Sequence, residues 1–366
     1  MTRADVLIIG GGIAGIGAGA ELAADRSVCV LEAERQIGYH ATGRSAAIFI
    51  RNYGNATLRA LNAAAAGFLE APEGVSERSL LSPRGEMMVA TEDELDALEA
   101  YCSGAEGLER LSPAQAVELV PILRPEIIAG AAIERDAQDI DVDRMLSGYA
   151  RLLKQRGSRV ETDAPVTAIR RDAGLWQVTA GGRSYQAPLL VNAAGAWSAA
   201  VARMAGATPI PLHPLRRSAA ILPAPEGYDL RAWPLFVSAS ERWYAKPEAG
   251  KLMVSPADED PVEPHDAWAD DMVLAEGLYR FEQAVSISVT RVEHSWAGLR
   301  SFAPDRTPVV GHDPECEGFF WLAGQGGYGV QTAPALSRLT ADLVAGTAPQ
   351  LADAVIAALA PGRFAA

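Results

Sequence analysis

The hydrophobic pattern of the N-terminal segment predicts a strand, a helix and a second strand in close succession. Residues Ala4–Ile9 are almost continuously apolar, as in a strand that is buried on both faces of a parallel sheet. The Ala-rich segment Ile13–Ala24 is typical of a helix, and Ser27–Leu31 is a second strand-like run that ends at Glu32. This order is that of a βαβ unit, so we expect an α/β fold with a Rossmann-like domain.

Two later segments combine a buried strand with small residues. Leu189–Ala193 predicts a buried strand, and the residues that follow it up to Trp197 are mostly small. Phe319–Ala323 predicts another strand, followed by the glycine-rich turn Gly324–Gln331 and by a helix from about Ala333 to Ala345. Glycine-rich turns before a helix present free N–H groups and the positive end of the helix dipole, so both segments are candidates for ligand contact.

The middle of the chain has a different pattern. Helices are predicted for Glu92–Cys102 and Pro113–Val120. Further along, strand-like runs follow one another without long helices between them, at Ala219–Leu222, Leu235–Ser238, Trp243–Pro247 and Lys251–Ser255. Such runs fit an antiparallel sheet better than βαβ units.

Length and composition narrow the function classes. A chain of 366 residues is long for one core, so two domains are expected. The 49% of apolar and 21% of charged residues exclude a largely disordered chain. The net charge of −14 argues against a nucleic-acid partner, whose phosphates would be repelled. The apolar run from Val6 is short and interrupted by glycines, so we expect no signal peptide, no membrane span and a cytoplasmic location.

The cysteines and histidines give no sign of a metal site. Cys29, Cys102 and Cys316 lie far apart and match neither a metal spacing nor a disulfide framework. The five histidines are equally scattered, so no metal is expected. Three separate thiols of this kind are typical of a reducing compartment.

A dinucleotide site is predicted where the first strand meets the first helix. Gly10, Gly12 and Gly15 form a G-x-G-x-x-G motif, in which the glycines allow a tight turn, a close approach to the pyrophosphate and close helix–strand packing. Glu32, at the end of the second strand, can accept hydrogen bonds from ribose hydroxyls. The motif alone is weak evidence for a dinucleotide site. Here, however, it follows a strand and begins a helix, and Glu32 stands at the end of the next strand.

The segment after Glu32 favours FAD over a nicotinamide cofactor. Gly38–Ala47 is small, polar and punctuated by glycines, so it can pass under a large flat ligand, although a surface loop is the alternative interpretation. A nicotinamide enzyme more often continues into another helix–strand unit. The segments ending at Trp197 and Gln331 would return to the same cofactor, and a helix start there would stabilise charge on a reduced flavin.

These motifs together resemble the superfamily of D-amino acid oxidases and glycine/sarcosine oxidases, along nearly the whole chain. The resemblance rests on the N-terminal fingerprint, on Val191–Trp197, and on Pro304-Asp305 with Pro308 and Gly311. Within the superfamily, the chain is most similar to the bacterial D-arginine dehydrogenases. The segments that carry this closer match are Gly38–Ala47, Leu81–Met87, Arg216–Ala219 and Trp296–Phe302.

The resemblance implies two domains. An FAD-binding domain is expected from residues 1–44, 150–205 and 300–366. A substrate-binding domain of α+β type, with a large mixed or antiparallel sheet, is expected from residues 45–149 and 206–299. No cysteine stands where a covalent flavin link is expected, since Cys316 lies in an acidic loop, so FAD is expected to bind non-covalently.

Cofactor contacts are expected at the glycine-rich turns and in the segments that return to them. The expected FAD-binding residues are Gly10, Gly12, Ile13, Ala14, Gly15, Glu32, Thr42, Gly43, Arg44, Ser45, Ala46, Val166, Ala194, Gly195, Trp197, Gly298, Arg300, Gly326, Gly327, Tyr328, Gly329 and Gln331.

The resemblance also implies a substrate site. Arg217 and Arg300 would hold the α-carboxylate, because a guanidinium is a natural bidentate clamp, with help from the hydroxyls of Tyr244 and Tyr53. These four side chains are the expected catalytic residues, and Tyr53 lies in a segment that looks like a mobile lid. Glu86 would face a cationic side chain of the substrate, or else be an exposed acid at a strand end.

Two further residues are expected at the substrate, Gly327 and Ile48. Ile48 departs from the family pattern, because the D-arginine dehydrogenases carry a histidine at this position, and Ile50 likewise replaces a small hydroxyl residue. The departure puts any histidine-assisted step in doubt and makes the wall beside the substrate more apolar.

The expected function is FAD-dependent oxidative deamination of basic or hydrophobic D-amino acids to 2-oxo acids and ammonia. A secondary-amine oxidase of the glycine or sarcosine type is the alternative within the same class. A non-catalytic flavin-binding subunit is the alternative from another class. The expected partner is a small amino acid, and the electron acceptor (oxygen, quinone or another) is left open by the sequence, as are stereochemistry and oligomeric state.

Overall fold

The computed structural model describes residues 2–364, whose strands form four sheets with helices packed on them. The strands are, in chain order, β1 (Thr2–Arg3), β2 (Val6–Ile9), β3 (Val28–Leu31), β4 (Ile48–Phe49), β5 (Leu81–Pro83), β6 (Glu86–Ala90), β7 (Leu108–Leu111), β8 (Gly130–Glu134), β9 (Gln138–Ile140), β10 (Arg159–Glu161), β11 (Val166–Asp172), β12 (Leu175–Ala180), β13 (Arg183–Ala187), β14 (Leu189–Asn192), β15 (His213–Leu222), β16 (Leu235–Ser238), β17 (Tyr244–Glu248), β18 (Lys251–Ser255), β19 (Asp260–Pro261), β20 (His294–Phe302), β21 (Val309–His312) and β22 (Phe319–Ala323). The α-helices are α1 (Ile13–Leu22), α2 (Ala56–Glu70), α3 (Leu95–Cys102), α4 (Pro113–Leu119), α5 (Val142–Gln155), α6 (Ser198–Ala205), α7 (Asp271–Ala284), α8 (Gly329–Ala345) and α9 (Asp353–Leu359).

A six-stranded sheet contains the predicted βαβ unit. Its order is β10-β3-β2-β14-β22-β21, and every neighbouring pair is parallel except β21 with β22. All four residues of β2 are buried, as expected for a strand covered on both faces. The carboxyl ends of β3, β2 and β14 therefore lie side by side at one edge of the sheet, which is where such folds bind ligands.

Helices α1, α5 and α8 pack on one face of this sheet, and α2 packs on α8. Glycines let α1 approach its neighbours closely: a Cβ at Gly17 would collide with Ser337 on α8, and one at Gly19 would lie 2.8 Å from Leu153 on α5. Leu58 and Leu69 of α2 join the same hydrophobic core, although α2 lies in the range 45–149. The division into domains stays a prediction.

A nine-stranded mixed sheet is the second main feature. Its order is β19-β15-β18-β17-β16-β6-β8-β7, with β20 also paired to β15. Neighbours are antiparallel except β16 and β6, which run parallel. The four predicted runs correspond to parts of β15 and to β16, β17 and β18, so the predicted α/β class with a large mixed or antiparallel sheet is confirmed.

The smaller sheets complete the fold. Strands β1, β13, β12 and β11 form a four-stranded sheet, and β4, β9 and β5 form a three-stranded one. Strand β4 contains Ile48, which is paired with Asp139 of β9. Asp139 in turn accepts a hydrogen bond from Lys246 on β17, so the small sheet lies beside the nine-stranded one. No helix of the described chain has both the length and the apolar character that crossing a membrane requires.

One predicted boundary is wrong for a clear reason. The helix expected from about Ala333 begins at Gly329, and Pro334 lies inside it. The prediction placed the whole glycine-rich turn Gly324–Gln331 before the helix, whereas the helix begins inside that turn. In the structure a glycine-rich first turn precedes the proline, so only one N–H bond of the helix is lost.

Candidate active site

A cavity of about 460 Å³ opens at the carboxyl ends of the parallel strands. Ile9 and Gly10 line it at the end of β2, Leu31 at the end of β3, and Ala193 and Ala194 after β14. Its far wall comes from the nine-stranded sheet through β15, β17, β18 and β20. The cavity therefore lies between the two main sheets.

The glycine turn after β2 is shaped for a ligand backbone. Gly10 has a φ of +111°, and a Cβ there would collide with the carbonyl oxygen of Ala193. Gly12 is the N-cap of α1 and supplies no capping side chain, while the hydroxyl of Thr42 accepts the Ile13 N–H at 3.1 Å. A helix start that faces a cavity without its own cap is a suitable place for a pyrophosphate.

Glu32 is fixed at the edge of this cavity. Its carboxylate accepts the N–H of Gly11 at 2.6 Å and the N–H of Glu34 at 2.9 Å. The residue is 8% exposed and lines the cavity. Because each carboxylate oxygen has more than one acceptor site, the remaining ones can bind ribose hydroxyls. The turn, the helix start and the acid together fit a dinucleotide.

Most of the predicted cofactor residues line this cavity. They are Gly10, Gly12, Ile13, Ala14, Glu32, Thr42, Arg44, Ser45, Ala46, Val166, Ala194, Gly195, Trp197, Gly298, Arg300, Gly326, Gly327 and Gly329. Four others do not reach it. A Cβ at Gly15 would collide with the carbonyl of Gly10, and one at Gly43 would lie 2.6 Å from the carbonyl of Gly38, so these two glycines permit close backbone packing.

Tyr328 and Gln331 also lie outside this first cavity. The ring of Tyr328 packs on that of Tyr53, with centroids 4.7 Å apart. Gln331 accepts the N–H of Ile50 at 3.1 Å and donates to Asn62 at 2.8 Å. Both residues therefore support the segment that carries Tyr53.

Besides lining the cavity, Arg44 holds a neighbouring segment in place, which the sequence did not indicate. Its guanidinium donates to the carbonyl oxygens of Ala267 at 2.7 Å and Ala297 at 3.0 Å, and it pairs with Asp266. Tyr39 also donates to Asp266 at 3.0 Å. Residues 262–267, here called the cover segment, are thereby tied across the cavity, which they line through His265 and Ala267. The hydrogen bond from Arg44 holds the pKa of Asp266 below its usual value.

A second cavity of about 80 Å³ adjoins the first. Seven residues line both cavities and define what we call the seam: Ser45, Ala46, Arg217, Tyr244, Arg300, Gly327 and Val330. Every residue that the sequence assigned to the substrate lines the second cavity: Ile48, Tyr53, Glu86, Arg217, Tyr244, Arg300 and Gly327. Tyr101 and Glu241 also line this cavity. Neither residue was predicted, because they belong to no recognisable motif and reach the cavity only through the folding of the chain.

Two arginines at the seam offer unused hydrogen-bond donors. Arg300 forms no salt bridge within 4.0 Å in the described part of the chain. Arg217 is 8% exposed, and its Nη2 donates to Glu259 at 3.0 Å while its buried Nε has no partner. Glu259 is shared with Arg306, so it neutralises Arg217 only in part. A buried donor without a partner, such as the Nε of Arg217, is rare, and we expect a carboxylate at the seam to be held by the two guanidinium groups.

Glu86 is the first residue of β6 and is 2% exposed. Its carboxyl accepts a hydrogen bond from the hydroxyl of Tyr101 at 3.1 Å. Burial, together with the charge of Glu134 on the neighbouring strand, raises the pKa of Glu86 to about 8. The carboxyl is therefore mostly neutral at pH 7, unless a cation enters the cavity.

The segment that carries Tyr53 is held by buried polar side chains. Glu134 accepts the N–H groups of Arg51 at 2.7 Å and Asn52 at 3.2 Å, and Asn62 donates to the carbonyl of Tyr53 at 3.0 Å. Burial raises the pKa of Tyr53, so its phenol stays protonated and can donate a hydrogen bond. The lid role of Tyr53 stays a prediction, and these contacts define one position for it.

Neither a cysteine nor a metal-binding cluster of side chains is found at the site within the described residues. None of the three cysteines, all within the described residues, lines either cavity. Residues 2–364 contain no group of three or more His, Cys, Asp or Glu side chains arranged to hold a metal ion. The ionisable side chains that line the second cavity are Tyr53, Glu86, Tyr101, Arg217, Glu241, Tyr244 and Arg300.

The chain belongs to the family of FAD-dependent oxidoreductases known as DAO, whose model matches residues 5–343. It is thus an oxidoreductase, and the predicted family and FAD cofactor are confirmed. The glycine oxidase of Geobacillus kaustophilus (strain HTA426) is 26% identical over 93% of both chains. Human mitochondrial sarcosine dehydrogenase is 28% identical over 58% of this chain, which corresponds to 25% of that protein.

Solved structures agree with the family. The crystal structure of glycine oxidase from Geobacillus kaustophilus superposes with a TM-score of 0.85 at 24% identity, covering 96% of this chain and 97% of that one. L-Proline dehydrogenase from P. horikoshii superposes with a TM-score of 0.83 at 22% identity, covering 96% and 95%. At these identities the likeness shows the fold alone.

Proposed function

We propose that this oxidoreductase deaminates D-amino acids with basic or hydrophobic side chains. The observation that carries the proposal is Glu86, a buried acid in the same cavity as Arg217 and Arg300. A cavity with arginines at the seam and an acid among apolar walls matches an amino acid that has a carboxylate and a substantial side chain. The handedness of the substrate comes from the resemblance to D-arginine dehydrogenases.

The arginines suit the α-carboxylate of such a substrate. Arg300 forms no salt bridge in the described chain, and Arg217, whose buried Nε has no partner, lines the cavity. Guanidinium groups bind carboxylates through two parallel hydrogen bonds, which fixes the orientation of the Cα–H bond as well as its position. Glu259 keeps Arg217 in place through its ion pair.

The side-chain end of the cavity suits two kinds of substrate. Ile48, Met88 and Val237 provide apolar walls for a side chain such as that of leucine or methionine. Glu86 in its neutral form adds no charge to these walls. A guanidinium or ammonium group beside it would favour the ionised form and create a charge-assisted pair.

The residues of the chain mainly bind and orient. FAD supplies the hydride acceptor, N5 of its ring, when it is bound. The phenol of Tyr53 stays protonated, so it serves as a hydrogen-bond donor, and the amine proton leaves to water. The Cα–H bond breaks with its electron pair, a C=N bond forms, and the imino acid hydrolyses to a 2-oxo acid and ammonia. Positioning and electrostatics therefore provide most of the catalysis.

A secondary-amine oxidase is the second candidate. The similarity to glycine oxidase and sarcosine dehydrogenase supports it, and so does the small volume of the second cavity, about 80 Å³. Such a substrate has little or no side chain to place near Glu86. The two candidates therefore differ in what they require of this one residue.

Replacing Glu86 separates them. In Glu86→Gln we expect kcat/KM for D-arginine to fall by roughly 10- to 100-fold, the worth of one charge-assisted hydrogen bond, while D-leucine and D-methionine keep their values within a factor of about three. The matched control is Glu109→Gln, an exposed strand acid paired with Arg135. Equal turnover of all amines by wild type and Glu86→Gln would favour the glycine or sarcosine type.

A further inference from the structure

Lys246 is a buried cation that the proposed reaction does not use. The chain contains three lysines, Lys154, Lys246 and Lys251. Lys246 is 3% exposed and lies on β17, two residues beyond Tyr244 and therefore on the same face of the strand. Tyr244 lines both cavities, so Lys246 is placed directly beside the seam.

The ammonium group of Lys246 has three partners. It donates to the carbonyl oxygen of Ala46 at 2.8 Å, and it pairs with Asp139 at 2.9 Å and Glu248 at 3.2 Å. Asp139 also pairs with Arg84 at 2.8 Å. A buried ion pair of this kind is often no more stabilising than apolar side chains of similar volume, so overall stability is a weak reason for it. The contact with Ala46 suggests another reason.

Ala46 precedes a strained turn. The backbone φ of Ala47 is +51°, a value that residues other than glycine rarely adopt. The turn is closed by the N–H of Ala47, which donates to the hydroxyl of Ser45 at 3.1 Å, and by the carbonyl of Ala47, which accepts the N–H of Ile140 at 2.8 Å. Ser45 and Ala46 line both cavities, so the strain lies where cofactor and substrate must meet.

We infer that Lys246 is a positioning residue that holds this turn, and with it the seam, in the shape that the reaction requires. It acts through the carbonyl of Ala46, while its partner Asp139 pairs with Ile48 in the register of β4 and β9. One ion pair thus fixes both the turn at the flavin and the apolar wall at the substrate. Without it, the turn can relax to a negative φ and shift Ala46.

The test uses the FAD-loaded protein and the variant Lys246→Met. Methionine has a similar length and no charge, and Asp139 keeps Arg84 as a partner, so we expect the variant to fold. Anaerobic flavin reduction at saturating amine should slow by roughly tenfold or more, because small misplacements of reacting groups are costly, with a smaller change in the apparent Kd of the amine. The absorption spectrum of bound FAD should also shift. The matched control Lys251→Met, a half-exposed lysine on β18 paired with Glu293, should change neither.

A second variant tests the route through the turn. Glycine adopts the φ of residue 47 without strain, so the turn no longer needs the lysine. The double variant Lys246→Met/Ala47→Gly should therefore recover most of the reduction rate and the wild-type spectrum. Failure to recover would overturn the claim that Lys246 acts through the turn.

Two further results decide the inference. A wild-type spectrum and a wild-type reduction rate in Lys246→Met would overturn it, and so would a loss of stability alone with a normal rate per bound FAD. The inference rests on the proposed function only for the choice of amine. If no amine reduces the wild-type flavin, the proposed function fails, while the spectra of the variants still test the positioning of FAD.

Discussion

At the scale of single residues, Glu86 has the property that separates the candidate functions. It lies beside Arg217, Arg300 and the apolar wall around Ile48, in one small cavity. Burial raises the pKa of Glu86 to about 8, so its carboxyl keeps its proton at neutral pH. A cationic substrate would pull the proton off, and a hydrophobic one would leave it in place.

The raised pKa of Glu86 predicts a pH dependence of stability. The folded protein holds this proton up to about pH 8, whereas an unfolded chain releases it near the ordinary value of 4.5. Stability from this group is therefore greatest below about pH 4.5 and is lost as the pH rises towards 8. Glutamine cannot ionise, so Glu86→Gln does not lose this stability as the pH rises. The difference in the free energy of unfolding between Glu86→Gln and wild type should therefore be larger at pH 8 than at pH 5, in favour of the variant, by on the order of 2 to 4 kcal/mol.

Urea unfolding of the FAD-loaded proteins at the two pH values measures this difference. Glu109→Gln is the control, because the pKa of Glu109 is lowered by its hydrogen bond with Arg135, and its effect should be constant over the same range. Parallel pH profiles for wild type and Glu86→Gln would mean that Glu86 is already ionised in the folded state.

The position of a residue in the site was predictable where the residue belongs to a sequence motif. It was not predictable where the residue acts only through contacts with distant parts of the chain. Gly10 and Glu32 follow from the βαβ pattern, and Glu86 and Arg300 follow from family resemblance. Lys246, by contrast, meets Ala46 across 200 positions of sequence, and no local pattern indicates that contact. A buried lysine and an exposed one look alike in the sequence.

At the scale of secondary-structure elements, the junction between β2 and α1 is where we expect the pyrophosphate of the cofactor to bind. This junction was predictable from the sequence because the spacing of its glycines between a strand and a helix is a local signal. The predicted start of α8 was too late, because all of Gly324–Gln331 was assigned to a turn, although the helix begins at Gly329. The parallel pairing of β6 with β16 was also invisible, because it joins segments about 150 residues apart, Leu235 with Glu86 in the register.

Substituting Gly10, in the turn between β2 and α1, and Gly67, inside α2, tests the role of this junction. Gly10→Ala should lose FAD and at least about 2 kcal/mol of stability, because a φ of +111° is strained for alanine and its Cβ would meet the carbonyl of Ala193. Gly67→Ala is the matched control: it lies in α2 with no atom within 4 Å of a new Cβ, so it should gain about 0.5 to 1 kcal/mol. Both are measured by thermal unfolding and by the ratio of flavin to protein absorbance. Normal FAD content in Gly10→Ala would refute the assigned junction.

At the scale of the whole molecule, the site exists because two sheets face one another. The parallel sheet supplies the turns that suit the phosphates, and the nine-stranded sheet supplies Arg217, Tyr244 and Arg300. The cover segment, residues 262–267, links them through Asp266 and Arg44. The family and its cofactor were predictable from the sequence, whereas this link arises only once the sheets are assembled.

Loosening the cover segment should release FAD faster. Asp266→Asn keeps the shape of the side chain and removes its charge, so we expect FAD dissociation to accelerate severalfold with little change in unfolding. Added salt should speed dissociation in wild type more than in the variant, because salt screens the exposed pair with Arg44. The control Asp229→Asn breaks a similar exposed pair with Arg231. Equal dissociation rates for Asp266→Asn and Asp229→Asn would show that the cover segment does not retain FAD.

The central claim, an FAD enzyme for D-amino acids with a side chain, is tested most directly by anaerobic flavin reduction. The panel comprises D- and L-arginine, D- and L-leucine, D-methionine, glycine, sarcosine and proline, followed by admission of air to report on oxygen as acceptor. We predict rapid bleaching with D-arginine, D-leucine and D-methionine, and slow or no bleaching with the L-forms, glycine and sarcosine. Bleaching confined to glycine, sarcosine or proline, or to L-amino acids, would contradict the proposal.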